Sequence, residues 1–240
     1  MVQSISRNMR FYQKELSQID MVLVDEADQG GSKQYQNVIT RLFNTRIRIG
    51  LSGTIYMSKL AKDKVKNMNL ECFFGKVIAE FKLKDSIKKG YSTKTIVKMV
   101  PGKPWYGNWE SDCISYKEIY DDSITENNTA WTMAYNRLRW NINQGRYPAL
   151  VVCKHIAHCE NLYKFFKKKL GDAYNIAYVH VNTPSKLRQQ IMRDFREGKI
   201  DILVSTTIIA RGKNFPKLRY LLNAASWIVR KNLFSFLVVW

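Results

Sequence analysis

The chain has 240 residues, of which 45% are hydrophobic and 25% are charged. This is the composition of a globular protein, with enough apolar surface to exclude intrinsic disorder. No apolar run approaches the roughly 18–20 residues of a membrane span. The N-terminal sequence also lacks the apolar core of a signal peptide. We therefore expect neither membrane insertion nor secretion.

Charge is the first positive indication of function. The chain carries 39 Lys and Arg against 20 Asp and Glu, a formal net charge of +19. The excess is +7 over residues 1–90 and +12 over residues 91–240, so it is not confined to a tail. Such a surface is either merely solvated or the electrostatic footprint of a protein that binds a polyanion, meaning nucleic acid or anionic lipid.

The four cysteines, Cys72, Cys113, Cys153 and Cys159, give no sign of a metal site. They form no Cys-x-x-Cys pair, and no histidine cluster has metal-ligand spacing. We expect reduced thiols in an intracellular protein.

Short apolar runs alternate with amphipathic stretches, which predicts an α/β fold with parallel sheets. Before residue 90 the pattern predicts strands at Ile19–Val24, Ile47–Leu51 and Val77–Phe81, and helices at Lys33–Phe43 and Leu83–Lys89. Gly90 should stop the second helix.

The alternation resumes in the second half with a strand that begins near Thr95. Residues 101–128 interrupt it as a surface excursion with a net charge of −4. Beyond the excursion the pattern predicts helices at Thr129–Asn143, Ile156–Leu170 and Pro184–Glu197, and strands at Ala149–Cys153, Ile176–His180, Ile200–Ser205 and Tyr220–Asn223.

Polar residues follow several of these strands, where parallel sheets collect their ligands. Asp25 and Glu26 follow the first strand, and adjacent carboxylates there suit Mg²⁺ coordination and polarisation of a water beside a phosphate. Ser52-Gly53-Thr54 follows the second strand, and Thr206-Thr207 follows the strand that ends at Ser205.

The order of these segments resembles the superfamily 2 helicases and translocases of the DEAD/DEAH type, which are built from two RecA-like domains around an ATP cleft. VLVDEAD at 22–28 is similar to the Walker B motif, and LSGT at 51–54 to motif III. ALVVCKHIAHCENL at 149–162 is similar to motif IV, and ILVSTTIIARGKNFP at 202–216 to motif V.

The resemblance implies a role for each matching residue. Asp25 would bind Mg²⁺ through water and Glu26 would orient the attacking water. The other implied roles are coupling for Ser52, Gly53 and Thr54, nucleic-acid binding for Lys154, Arg188, Thr206 and Thr207, and nucleotide binding for Arg211, Gly212 and Asn214. Many relatives carry Asp where this chain has Asn214.

Two motifs of the family are absent from the sequence. It contains no Gly-x-x-x-x-Gly-Lys-Ser/Thr phosphate loop and no Arg-rich motif VI. We therefore expect residues 1–89 to be the C-terminal part of a first, N-terminally truncated RecA-like domain. Residues 90–240 would be a second, C-terminally incomplete one. ATP and Mg²⁺ would both require the missing segment, which a separate polypeptide could carry.

Two functions follow from the resemblance. The first is an ATP-dependent helicase or translocase that couples ATP hydrolysis to movement on or unwinding of DNA, with RNA possible. The alternative is a catalytically inactive nucleic-acid-binding chain. Within the superfamily the nearest resemblance is to phage recombination and branch-migration helicases, which implies the cytoplasm of a host cell.

The final segment, Trp227–Trp240, ends in an apolar run between two tryptophans where motif VI is expected. We hypothesise that it is translated out of frame. In a shifted reading frame, the third base of each codon is read together with the first two bases of the next codon. In that frame Trp227-Ile228 encodes Asp, and Leu237–Val239 can encode Gly-Arg. Such a tail would have no evolved packing partner.

Overall fold

The structure is a computed structural model, and it describes residues 2–53, 61–94, 96–101, 115–209, 214–229 and 233–239. The chain divides between Tyr91 and Ser92 into two compact units, here called unit 1 and unit 2. No helix in the described ranges is long and apolar enough to cross a membrane. The predicted α/β class with parallel sheets is confirmed in both units.

Unit 1 contains a two-stranded parallel sheet with helices packed on one face. Its elements are α1 (Val2–Arg7), α2 (Met9–Ser17), β1 (Met21–Asp25), a 3₁₀ turn (Ala27–Gly31), α3 (Lys33–Ile39), β2 (Ile47–Leu51), α4 (Ala61–Phe74) and α5 (Leu83–Lys88). Leu16 of α2 packs with Val38 and Leu42, and Val22 of β1 joins this core.

Gly50 lets β2 lie close to the 3₁₀ turn and α4. A Cβ atom at Gly50 would lie 2.9 Å from the Cβ of Ala27 and 3.1 Å from Cγ of Phe74. Gly90 has a φ of +75°, so it ends the short helix α5 in the left-handed region as the sequence predicts.

One prediction for unit 1 is wrong, and one helix has no counterpart among the predicted elements. Val77–Phe81 forms no strand, because no other segment of the described chain pairs with it, and Ile78 is 93% exposed. The sequence pattern does not predict the helix α4, because this segment shows no clear amphipathic period.

Unit 2 is a six-stranded sheet in the order β3-β8-β7-β4-β6-β5. The four strands β7, β4, β6 and β5 are parallel, whereas β8 and β3 are antiparallel to their neighbours. The elements are β3 (Val97–Pro101), α6 (Tyr116–Tyr120), a π-helical turn (Asp121–Thr125), α7 (Asn128–Asn143), β4 (Ala149–Cys153), α8 (Ile156–Leu170), β5 (Ile176–Val179), α9 (Ser185–Glu197), β6 (Ile202–Thr206), a 3₁₀ turn (Thr207–Ile209), β7 (Tyr220–Val229) and β8 (Leu233–Val239).

Helices cover both faces of this sheet, as a parallel sheet requires. On one face Leu138 of α7 and Phe166 of α8 pack against the strands. On the other face Phe195 of α9 packs against Leu150 and Leu203. Both faces of β4 and β6 are therefore buried, which explains their continuous apolar sequences.

The described part of the predicted surface excursion, residues 115–128, is packed into unit 2. Tyr120 and Ile124 are fully buried. The indole N–H of Trp131 donates to the carbonyl of Ile124 at 3.0 Å, and Asn161 of α8 donates to the carbonyl of Thr125 at 3.1 Å.

The C-terminal segment occupies a place in the sheet. Leu233–Val239 pairs antiparallel with β3 on one side and β7 on the other, and β7 runs six residues beyond the predicted end at Asn223. The backbone of this tail therefore has pairing partners, and its translation out of frame stays a hypothesis. An extended segment of almost any apolar sequence can pair in this way, since backbone groups make the hydrogen bonds.

Candidate functional site

In unit 1 the predicted site residues meet at one edge of the small sheet. The parallel register pairs Asp25 with Leu51, so β1 and β2 end side by side. Glu26 therefore leaves β1 next to the point where Ser52 leaves β2. The sequence predicts this convergence, because the carboxyl ends of parallel strands lie at the same edge.

Glu26 is held in an uncommon backbone conformation. Its φ is 53°, in the left-handed region that non-glycine residues rarely adopt. The backbone N–H of Glu26 donates to Oδ1 of Asp25 at 2.9 Å. The chain turns at Glu26 directly after the strand, and the side chains of Asp25 and Glu26 are both exposed to solvent.

A side-chain hydrogen bond joins the segments that follow the two strands. Oγ of Ser52 donates to Oδ1 of Asp28 at 3.0 Å, and both residues are half-buried. Gly53 is exposed, and a Cβ atom there would meet nothing within 4 Å. Thr54, the last residue of the predicted coupling motif, lies outside the described residues.

The donors at this edge suit a magnesium ion that also binds a nucleotide. No group of three or more His, Cys, Asp or Glu side chains in the described ranges could hold a metal ion by itself. Mg²⁺ is commonly bound by one or two carboxylates together with waters and substrate phosphates. The exposed carboxylate of Asp25 therefore fits an ion held mainly by the nucleotide.

In unit 2 three of the predicted nucleic-acid-binding residues lie at the carboxyl edge of the sheet. Cys153 of β4 is paired with Thr206 of β6, so Lys154 and Thr207 leave adjacent strands at one level. Both side chains are exposed, whereas Thr206 is 7% exposed at the strand end. Nζ of Lys154 lies 5.4 Å from the ring centroid of Tyr120, a cation–π contact.

Arg188 lies in the first turn of α9, which begins after β5 at the same edge. Its backbone N–H donates to the carbonyl of Pro184 at 2.9 Å, and its side chain is half-buried. It lines a groove of about 530 Å³ that runs along α9 and is closed on one side by Ile208 and Ile209. Those two residues directly follow Thr207, so the groove joins the predicted residues of α9 and β6.

The predicted nucleotide-binding residues of motif V are described only in part. Asn214 is exposed, and Arg211 and Gly212 lie outside the described residues.

Comparisons with known proteins agree with this geometry. A family model, the helicase conserved C-terminal domain, matches residues 134–236, from α7 into β8. The ATP-dependent RNA helicase CHR1 of Candida albicans is 22% identical over 215 residues, covering 87% of this chain and 31% of that protein. Residues 134–236 are therefore similar to the C-terminal domain of helicases.

Solved structures of helicases have a similar fold. The helicase Lhr of Mycobacterium smegmatis, bound to single-stranded DNA and AMP-PNP, matches with a TM-score of 0.58 at 13% identity, over 92% of this chain and 27% of that one. Dbp5 of S. cerevisiae, bound to RNA and ADP BeF3, matches with a TM-score of 0.51 at 16% identity, over 94% and 49%.

The structure shows two site features to which the resemblance assigns no role. Asp28 is the partner of Ser52, a contact between residues 24 positions apart that sequence spacing does not show. Arg193 and Arg196 line the same groove as Arg188. Residues 188, 192 and 196 recur every four positions, so helical spacing places Arg196 on the same face of α9 as Arg188. Arg193 is not part of this series, and its place in the groove comes from the structure.

Proposed function

We propose that this chain is part of an ATP-dependent superfamily 2 helicase or translocase, which couples ATP hydrolysis to movement on nucleic acid. The observation that carries the proposal is the arrangement at the end of β1 and β2. Two adjacent exposed carboxylates, Asp25 and Glu26, stand beside a loop from the neighbouring strand, and the Ser52–Asp28 bond joins the two segments.

Each residue of unit 1 has a distinct part in this chemistry. Asp25 would hold Mg²⁺ through water, and the ion would neutralise charge on the nucleotide phosphates. Glu26 would accept a proton from the attacking water and orient it towards the γ-phosphate. The Ser52–Asp28 hydrogen bond would transmit a displacement of one strand end to the other.

Unit 2 would contribute the grip on the nucleic acid. Lys154, Arg188 and Thr207 present a cationic or hydroxyl group at the carboxyl edge of the sheet. Such groups bind sugar and phosphate, which gives affinity without sequence preference. The roles of Thr206, Arg211, Gly212 and Asn214 are carried over from the resemblance alone.

We propose that a Walker A segment outside these 240 residues, which a separate polypeptide could carry, completes the nucleotide site. One face of the β1–β2 sheet supports this: Met21, Leu23 and Ile47 are each more than half exposed, at 52%, 57% and 52%. Parallel sheets are normally covered on both faces. An α/β segment that adds a strand and an apolar helix would cover this face and bring the phosphate loop to Asp25.

The test is ATP hydrolysis by the protein together with its Walker A segment, in the presence and absence of DNA or RNA. We expect nucleic acid to stimulate hydrolysis, and Glu26→Gln to reduce it by the 10²–10⁴-fold typical of a lost general base, as an order of magnitude. Glu15→Gln, at an exposed position of α2, is the matched control and should be fully active. Undiminished hydrolysis by Glu26→Gln would remove the role of Glu26.

The alternative, a nucleic-acid-binding chain without catalysis, is favoured by the absence of a phosphate loop from the sequence together with the +19 charge. Titration of the 240-residue chain with labelled single strands and with Mg-ATP separates the two. Tight, salt-dependent binding of nucleic acid without nucleotide binding supports the alternative. Micromolar affinity for Mg-ATP would support the enzyme.

Finer assignments stay predictions. They are DNA as the preferred strand, a part in phage recombination, and a cytoplasmic location in the host.

A further inference from the structure

The groove along α9 continues well beyond the residue that the motifs single out. Its lining spans almost the whole helix, from the first turn to the last: Ser185, Arg188, Gln189, Met192, Arg193, Arg196, and Ile208 and Ile209 opposite. At 1.5 Å per residue, Arg188 and Arg196 stand about 12 Å apart along the helix axis. That is more than three times the roughly 3.4 Å rise per nucleotide of a B-form strand.

The groove is cationic because the acidic residues of α9 are engaged elsewhere. Both carboxylate oxygens of Asp194 accept from Gln190 at 3.0 Å, and Glu197 pairs with Lys199 at 2.6 Å. The lining contains three arginines and no acidic residue. Within the described part of the chain none of the three arginines forms an ion pair.

The helix α9, which carries these arginines, is anchored to the rest of unit 2 by packing and hydrogen bonds. Phe195 is 1% exposed and packs against Phe215 with ring centroids 5.2 Å apart. Gly198, in the left-handed conformation with a φ of 80°, ends the helix, and Nζ of Lys217 donates to the carbonyl of Glu197 at 2.6 Å. The arginines therefore project from a rigid element, with Met192, Ile208 and Ile209 as an apolar floor.

We propose that this groove binds a single strand of nucleic acid over several nucleotides, with Arg193 and Arg196 each contacting a phosphate beyond the one at Arg188. The inference rests on the proposed function, since it extends the same nucleic-acid path. Arginine recognises phosphate through paired N–H donors, and the apolar floor suits sugar or base surface. No motif assigns a role to Arg193 or Arg196.

The test is fluorescence titration of the 240-residue chain with labelled oligo(dT) and, in a parallel arm, labelled oligo(U). For each phosphate contact, the association constant for a single strand falls as about the 0.7 power of the salt concentration. Arg196→Gln should therefore lower affinity about 8-fold at about 50 mM NaCl and about 3-fold at about 200 mM, if it removes one contact. The ratio of the affinity at about 50 mM NaCl to the affinity at about 200 mM is then about 2.6-fold smaller for Arg196→Gln than for the unsubstituted chain.

The matched control is Lys168→Gln, the same loss of one charge at an exposed position of α8. Arg188→Gln is the reference for a contact that the motifs assign. Thermal unfolding followed by circular dichroism checks that each variant folds, and Arg196→Lys should recover most of the affinity because it restores the charge.

The outcomes separate the two proposals. If Arg196→Gln and Arg193→Gln match the Lys168 control while Arg188→Gln weakens binding, the path ends at Arg188. The inference is then overturned and the proposed function stands. If the chain binds neither oligonucleotide, the proposed function fails, and the inference that rests on it fails as well. If polyglutamate binds more tightly than either oligonucleotide and Arg196→Gln removes that binding, the groove belongs to an acidic polypeptide and the inference is wrong.

Discussion

Acidification should destabilise unit 2 through one buried histidine. His158, at the start of α8, is 1% exposed, and its Nδ1 lies 3.2 Å from the hydroxyl oxygen of the fully buried Tyr120. Burial, together with the nearby His155, lowers the pKa of His158 from 6.5 to about 4, against a smaller opposing effect of Asp121. The native state therefore holds this ring neutral.

The sign and size follow from proton linkage. Because the folded pKa lies below the unfolded value, the unfolded chain binds more protons between these two pH values. The stabilisation is complete above pH 6.5 and is lost as the pH falls towards 4. At about 1.4 kcal/mol per pKa unit, the loss at pH 4 is about 3 kcal/mol. That is a large part of the roughly 5–15 kcal/mol that stabilises a typical domain.

The assay is urea unfolding followed by circular dichroism at a series of pH values from about 4 to about 8. Since carboxylates also titrate in part of this range, the informative quantity is the difference between the protein and His158→Gln. The substituted chain should lose up to about 1.4 kcal/mol per pH unit less on acidification. Tyr120→Phe is the control: it removes the hydroxyl contact but keeps the titrating ring, so its pH dependence should match that of the unsubstituted chain.

One result would refute this reasoning. If His158→Gln shows the same loss of stability between pH 6.5 and 4 as the unsubstituted chain, His158 does not release its proton on folding. The charge would then be tolerated in the core, and burial beside Tyr120 would not decide the protonation state.

Three further predictions concern packing, backbone strain and thiol reactivity. Gly50→Ala should destabilise unit 1 by about 1–3 kcal/mol in urea unfolding, because its Cβ would lie 2.9 Å from the Cβ of Ala27, whereas Gly53→Ala should leave stability unchanged. Glu26→Gly should raise the free energy of unfolding by about 1 kcal/mol relative to Glu26→Gln, since glycine adopts a φ of 53° without strain. Equal stabilities of the two variants in urea unfolding would contradict a strained turn. Burial raises the pKa of the Cys153 thiol, so alkylation of the native chain followed by mass spectrometry should modify the exposed Cys72 and spare Cys153 and Cys159 until urea is added.

The sequence by itself predicted most of unit 2, since its elements depend on local periodicity. Ile156–Leu170 has the predicted bounds because its apolar residues recur with the helical period and Gly171 follows it. Ala149–Cys153 is a continuous apolar run because the sheet is covered on both faces. The order of the motifs also led to the resemblance to helicases, because strand ends and their polar residues recur at characteristic spacings.

Only the tertiary structure decided what depends on partners distant in the chain. Val77–Phe81 has the composition of a strand, but a strand needs a neighbour, and the described chain offers none. Ser52 and Asp28 meet because two parallel strands end in register, and Arg196 becomes part of a groove because Ile208 and Ile209 close its other side. Local pattern records the tendency of each segment to form helix or strand. Which side chains come together depends on packing between segments. The free energy of that packing comes from contacts between distant parts of the chain, so the pattern of one segment does not determine it.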